Sequence, residues 1–258
     1  MRYALYDYHS APSGPESSKE HMADWWSKHW EGTSRGRSGF TRDLTKELLW
    51  PTIEDVIRKP GRLLEAGCGP GQWVQFLGAR GHSVTGLDYA ESGLLIGQAQ
   101  NPRLKFLRGD LRGMPFADGT FDYILSLGAV EHDVNGPDAA LREFRRVLSP
   151  TGSLMCSVPC LNVERRLLLP FMAVRDWLKC QPAIRKLAGK HEPFEFYEYL
   201  FTPDEYRAIL RRAGLEVVSL RTYAVSTRSA VGRAIAAGMR RVSRFYNPHM
   251  MMAICRRA

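Results

Sequence analysis

From residue 60 onward, short apolar runs alternate with amphipathic stretches of helical length. Residues 62–65, 83–88, 104–108, 121–127 and 153–158 read as strands, several of them almost wholly apolar. Between them, residues 72–80 and 90–100 read as helices, and a third helix starts near Pro137 with Leu141, Phe144 and Val147 as its apolar stripe. Strands alternating with helices in this way predict an α/β fold, a doubly wound, mostly parallel sheet covered on both faces. Ser149-Pro150-Thr151-Gly152 reads as a turn before the fifth strand. Thr202-Pro203-Asp204-Glu205 supplies an N-cap, a first-turn proline and a capping acid, so a helix should run to Ala213 and stop at Gly214. Residues 216–223 and 250–255 complete a set of seven strands.

The flanking segments depart from this rhythm. Tyr3, Tyr6 and Tyr8 precede a Ser/Pro/Gly-rich loop, and residues 18–30 then predict a helix with Met22, Trp26 and Trp30 near one face. Ser17 and Glu20 have capping-box spacing at its start. Residues 40–59 read as helical, broken or restarted at Pro51, with Pro60-Gly61 as the stop. Residues 161–201 form an insertion before the next core helix, and residues 224–247 a second, basic one, and both read as helical. In the first insertion, Val163, Leu167, Leu168, Phe171, Met172, Val174, Trp177 and Leu178 line one side, with Arg165, Arg166, Arg175, Lys179, Arg185, Lys186 and Lys190 beside them. A cap over the acceptor with its apolar side buried is the favoured reading; a segment lying on an anionic bilayer is the other.

Charge sharpens this picture. The net charge of +9 lies wholly in the C-terminal part, where residues 161–258 carry 18 basic and 8 acidic side chains. Nucleic acid, an anionic lipid surface, a phosphorylated substrate or plain solvation could each account for it. The 258 residues fit one domain with insertions, since no flexible linker divides them. No apolar run is long enough to span a bilayer, and the N-terminus lacks the apolar core of a signal peptide. Five cysteines without a C-x-x-C pair suggest reduced thiols and a cytoplasmic protein.

The candidate chemistry centres on Glu65-Ala66-Gly67-Cys68-Gly69-Pro70-Gly71, a glycine turn between a buried strand and a helix. Such a turn lets backbone amides approach a ligand closely. Asp88 stands 23 residues after Glu65, at the end of the next strand, where an acid can bond ribose hydroxyls. Asp110-Leu111 follows the third strand, and Leu127 to His132 follow the fourth. This ordered set, covering about residues 60 to 160, resembles the class I S-adenosylmethionine-dependent methyltransferases of the methyltransferase type 11-like kind. NAD-binding Rossmann domains usually place a small or apolar residue where Glu65 stands. The resemblance implies a Rossmann-like sheet of order 3-2-1-4-5-7-6, with residues 1–60 as a helical lid and both insertions on the substrate side. It implies cofactor contacts from Glu65, Gly67, Cys68, Gly69, Gly71, Asp88, Tyr89, Asp110, Leu111 and Leu127. Asp110 would meet the adenine amino group, between Tyr89 and Leu111. Cys68 is a filler of the turn rather than a nucleophile.

S-adenosylmethionine is thus the expected cofactor, S-adenosylhomocysteine the product, and no metal is expected. The expected reaction is in-line SN2 methylation of an oxygen on a small-molecule or lipid/glycan-linked acceptor. His132, flanked by Glu131 and Asp133, is the candidate general base. RNA or protein methylation and an inactive, cofactor-binding subunit remain as alternatives. Nucleic acid is not favoured, because no N-P-P-[YF] motif and no appended RNA-binding domain is present. Peripheral contact with an anionic membrane is a further expectation, and the oligomeric state is open.

Overall fold

The computed structural model describes residues 2–8, 17–34, 44–187, 194–223 and 250–258. In chain order these form β1 (Arg2–Tyr8), α1 (Ser17–Ser34), α2 (Trp50–Val56), β2 (Arg62–Ala66), α3 (Gln72–Gly78), β3 (Ser83–Asp88), α4 (Glu91–Gln100), β4 (Lys105–Arg108) and β5 (Phe121–Leu127). Then follow α5 (Asp138–Val147), β6 (Leu148–Pro159), α6 (Val163–Cys180), α7 (Pro182–Leu187), β7 (Phe194–Phe201), α8 (Pro203–Arg212), β8 (Leu215–Tyr223) and β9 (Met250–Arg257).

Seven strands form one sheet in the order β4-β3-β2-β5-β6-β9-β8. Counted along the chain within that sheet, the order is the expected 3-2-1-4-5-7-6. The first five strands run parallel, and β9 is antiparallel to both β6 and β8. Both faces are covered, which is why the central strands are apolar without alternation. Leu63, Leu125 and Met155 point to the face packed by α2 and α3, whereas Leu64, Ile124 and Leu154 point to the face packed by α5 and α8. The predicted stripe Leu141, Phe144 and Val147 is fully buried there. Thr202 caps α8 as expected, its Oγ1 accepting from the Glu205 amide at 3.3 Å.

The helix restarts at Pro51, one of the two readings of that stretch: α2 opens at Trp50 with the proline in its first turn, where its missing N–H costs nothing. Three expectations need correction. Residues 149–152 do not separate α5 from a strand. β6 already pairs at Leu148 with Phe121, and the Ser-Pro-Thr-Gly stretch is taken up as an irregularity before Ser153 pairs with Tyr123. The first insertion is not helical throughout, because its last eight residues form β7. β7 pairs antiparallel with β1 in a separate two-stranded sheet. The Leu161 amide donates to the Phe201 carbonyl at 2.7 Å, and Tyr199 Oη to the Val134 carbonyl at 2.7 Å. These bonds fasten the small sheet beside the carboxyl ends of β5 and β6. A loop is expected at residues 31–39, yet residues 31–34 belong to α1; the rest of that stretch and the insertion at residues 224–247 lie outside the described residues.

Candidate active site

The carboxyl ends of β2, β3, β4 and β5 bring the expected site residues into one crevice, as the topology of an open α/β sheet requires. The glycine turn is built there from backbone bonds. The Gly67 and Cys68 amides both donate to the Leu87 carbonyl, at 2.8 and 3.1 Å. Gly67 has φ of 77°, and a Cβ there would overlap that of Ala129. Gly69 has φ of 49°, and a Cβ there would lie 2.6 Å from the Trp30 ring. Both positions therefore exclude a side chain for conformational and for steric reasons.

The two acids of the turn are structural as well as chemical candidates. Glu65 Oε2 accepts from the Val74 amide at 2.8 Å, which caps the first turn of α3 from the neighbouring strand. Burial pushes its carboxyl up to about 8, against the pull of that hydrogen bond. Asp88 accepts from the Gly69 amide at 2.7 Å and from the Ala90 amide at 2.9 Å, one on each oxygen. It is buried, and desolvation raises its pKa although these bonds oppose the shift. The Tyr89 amide adds a third backbone bond, and the carboxylate still has acceptor capacity for a ligand. Burial drives the Cys68 thiol well above its usual range, so the protonated form persists and the side chain is a poor nucleophile.

α1 closes the crevice from above. Ser92 Oγ at the start of α4 donates to the Ser27 carbonyl at 2.8 Å, and Trp30 rests on Gly69 and Gly93. Trp26 stacks on Trp30 at a centroid distance of 5.8 Å and meets the His132 ring edge-on at 5.1 Å. The aromatic face read from the sequence thus touches the glycine turn and the candidate base together.

At the far end, Asp110 is held by an arginine that sequence reasoning passed over. Arg112 donates from Nε and Nη2 to the Asp110 carboxylate at 2.9 and 2.8 Å, and from Nη1 to Asp133 at 3.3 Å. The fork fixes the carboxylate and links the loops after β4 and β5. Tyr89 and Leu111 are part-buried near this end, and Leu127 is part-buried at the end of β5. Burial beside Asp88 raises the Tyr89 hydroxyl above its ordinary pKa.

A polar nest lies beyond β5, in the helical turn Val130–His132. One ligand atom each from Glu131, His132 and Glu198 lies within 4.8 Å of the others. Glu131 is 1% exposed, and its Oε2 has no hydrogen-bond partner among the described residues. Desolvation, with Glu198 nearby, holds its carboxyl well above the usual range. Burial pushes Glu198 up to about 7, with Arg165 pulling back. The spacing would suit a divalent cation, but both carboxyls would have to give up protons that burial favours. Glu198 escaped the sequence reading because it sits on β7, whose pairing with β1 sets it opposite Leu5. The aromatic-rich run Phe194-Glu195-Phe196-Tyr197-Glu198-Tyr199 was the available signal for a strand.

Because the folded pKa of Glu198 exceeds its unfolded value near 4.5, its contribution to stability falls as pH rises from 4.5 to about 7 and then levels off. Glu198→Gln removes that penalty. The variant should gain about 1–3 kcal/mol over the parent at pH 8 and nothing at pH 4. Urea unfolding at the two pH values tests this, and an equal difference at both would refute it.

The chain matches the sequence family described as "Methyltransferase domain" over residues 64–156. It is 29% identical over 184 residues to the demethylmenaquinone methyltransferase of Staphylococcus aureus, a span covering 65% of this chain and 73% of that protein. The 1,6-didemethyltoxoflavin-N1-methyltransferase of Burkholderia thailandensis, solved with 1,6-didemethyltoxoflavin and S-adenosylhomocysteine bound, superposes with a TM-score of 0.61 at 17% identity. That likeness covers 99% of this chain and 96% of the other. An S-adenosylmethionine-dependent methyltransferase of Methanosarcina mazei gives a TM-score of 0.61 at 19% identity, over 81% of this chain and 98% of that one. At these identities the two structures speak to the fold alone, while the span matched by the family model, residues 64–156, takes in the glycine turn, Asp88, Asp110, Glu131 and His132. Residues 64–156 thus match a methyltransferase domain, set in the Rossmann-like fold that the chain shares with S-adenosylmethionine-dependent methyltransferases.

Proposed function

We propose that the protein methylates a hydroxyl oxygen of a small-molecule or lipid/glycan-linked acceptor. The observation that carries this reading is the nest of Glu131, His132 and Glu198, which sits under Trp26 at the same crevice as the glycine turn. The two ends of the crevice then divide the work. Glu65, Gly67, Cys68, Gly69 and Gly71 shape the turn against the amino-acid part of the cofactor, and Leu127 closes its side. Asp88 takes the ribose hydroxyls on its remaining lone pairs. Tyr89 and Leu111 flank the adenine, and Asp110, steadied by Arg112, takes its amino group. The glycines fit such a ligand because a Cβ at Gly67 or Gly69 would fill the space where the backbone must be approached.

When bound, S-adenosylmethionine supplies a methyl group already activated by its sulfonium, so orientation provides much of the rate. The remaining task is the acceptor proton. His132 would take that proton, leaving the acceptor oxygen free to receive the methyl group that the cofactor would supply. Glu131 and Glu198, held near neutrality by burial, keep the imidazole oriented without adding two full charges to a shielded pocket. Trp26 and Trp30 exclude water from the reacting atoms. In this reading residues 1–258 form one methyltransferase domain, with α1 as lid, residues 61–160 as cofactor core and the insertions on the acceptor side. Both the Staphylococcus and the Burkholderia proteins are named for small-molecule acceptors, which supports the acceptor class.

The test is twofold. Calorimetry should show binding of S-adenosylmethionine and S-adenosylhomocysteine by the purified protein. Incubation with methyl-labelled cofactor and fractionated cell extract should then place the label in small molecules or the organic phase, in a base-stable, ether-type linkage. Label in RNA or protein would replace the reading with its alternatives. Binding without label in any fraction would point to a catalytically silent subunit.

A further inference from the structure

Helix α6 is turned the wrong way for a soluble protein. Leu167, Phe171, Val174, Trp177 and Leu178 are 73%, 74%, 59%, 62% and 39% exposed. Leu187 at the end of α7 is 89% exposed. Successive helical residues advance by 100°, so Leu167, Phe171, Val174 and Leu178 share one arc and Trp177 borders it. A surface helix ordinarily buries that arc and exposes its charges. Here the inward side carries the polar anchors. Asp176 is 6% exposed, and its Oδ1 accepts from Arg175 Nε at 2.7 Å. Asn162, also 6% exposed, caps the helix by accepting from the Arg165 amide at 2.8 Å. Both bonds are local to α6, and it is the burial of Asp176, half a turn away from the arc, that marks the arc as the outward side.

Charge indicates what meets it. Arg166 lies on one edge of the arc and the half-exposed Arg175 on the other, with exposed Lys186 on α7. Long cationic side chains can lie along an apolar surface and place their heads at the level of lipid phosphates. The excess of 18 basic over 8 acidic side chains in residues 161–258 belongs to the same part of the chain. The sequence favoured an inward-facing cap; the exposures run the other way. We propose that α6 and α7 dock the protein on an anionic phospholipid bilayer, with the apolar arc in the headgroup–acyl boundary and the cations among the phosphates. No helix among the described residues is long and apolar enough to cross a membrane, so the contact is with one leaflet. This docking does not depend on which acceptor is methylated.

The experiment is sedimentation of the full chain with vesicles of phosphatidylglycerol in phosphatidylcholine, and with phosphatidylcholine alone. The parent should sediment with the anionic vesicles at low salt, release at high salt, and stay in solution with the neutral ones. Phe171→Glu with Trp177→Glu should lower the partition coefficient roughly tenfold or more. Arg166→Glu with Lys186→Glu should lower it by a similar factor. Both double variants should bind S-adenosylmethionine as the parent does, which verifies that they are folded, because these residues lie outside the cofactor crevice. No sedimentation under any condition would overturn the proposal, as would variants that sediment like the parent. A parent that is dimeric by light scattering, with the dimer lost in Phe171→Glu, would assign the arc to a second copy of the chain and overturn it equally.

Discussion

Replacing His132 by alanine should lower turnover by about 10²–10⁴-fold while changing the affinity for S-adenosylmethionine less than tenfold. The asymmetry follows from position. His132 stands in the turn after β5, within 4.8 Å of the carboxyls of Glu131 and Glu198 and away from the amides of the glycine turn. Its ring also meets Trp26 at 5.1 Å, so a modest loss of affinity through a looser lid is part of the expectation. Single-turnover rates at saturating cofactor, with calorimetry on the same variant, separate the two effects. Unchanged turnover, or a loss confined to cofactor binding, would remove His132 from the role of base. His132→Gln, which keeps hydrogen bonding but titrates nothing, should be as slow as the alanine variant.

Asp88→Ala should damage both the turn and the ligand it receives. The carboxylate accepts from the Gly69 and Ala90 amides, and the replacement strands both donors in a buried place. Each stranded donor costs about 1–3 kcal/mol, so the cofactor-free protein should lose roughly 2–6 kcal/mol of stability. Loss of the ribose contacts should weaken cofactor binding by a further tenfold or more. The two claims fail separately. An unchanged urea midpoint without cofactor would refute the role in the turn. Unchanged affinity in a folded variant would refute the ribose contact.

The features that were legible in the sequence are the ones that local chemistry dictates. The glycine turn announces itself because only glycine tolerates φ of 77° beside the Ala129 methyl or φ of 49° under Trp30. Thr202 and Pro203 mark the start of α8 because capping involves four consecutive residues. Buried parallel strands show as apolar runs because both faces are covered. What stayed hidden depends on partners far along the chain. β1 meets β7 across nearly the whole sequence, and neither strand carries a hairpin turn that would fix its register. Glu198 inherits that difficulty, since its place beside Glu131 exists only once β7 is fastened at Leu161 and Val134. Arg112 looked like any surface arginine, because a two-residue spacing to Asp110 says nothing about the second bond to Asp133. Ser149 to Gly152 has turn chemistry, yet pairing between Leu148 and Phe121 turns it into a local irregularity of a longer strand.

The place of β9 has a consequence for how the protein is made. This strand leaves the ribosome after β8 yet lies between β6 and β8, burying Met251, Ala253 and Cys255 completely. While the chain is being synthesised, β6 offers an unpaired apolar edge and β8 has no sheet to join. A nascent chain that stops short of residue 250 therefore holds the cofactor half of the sheet with an open, sticky border, a template for pairing with other chains. Premature termination or slow translation through the segment before Met250 should yield aggregated protein rather than a partly active fragment.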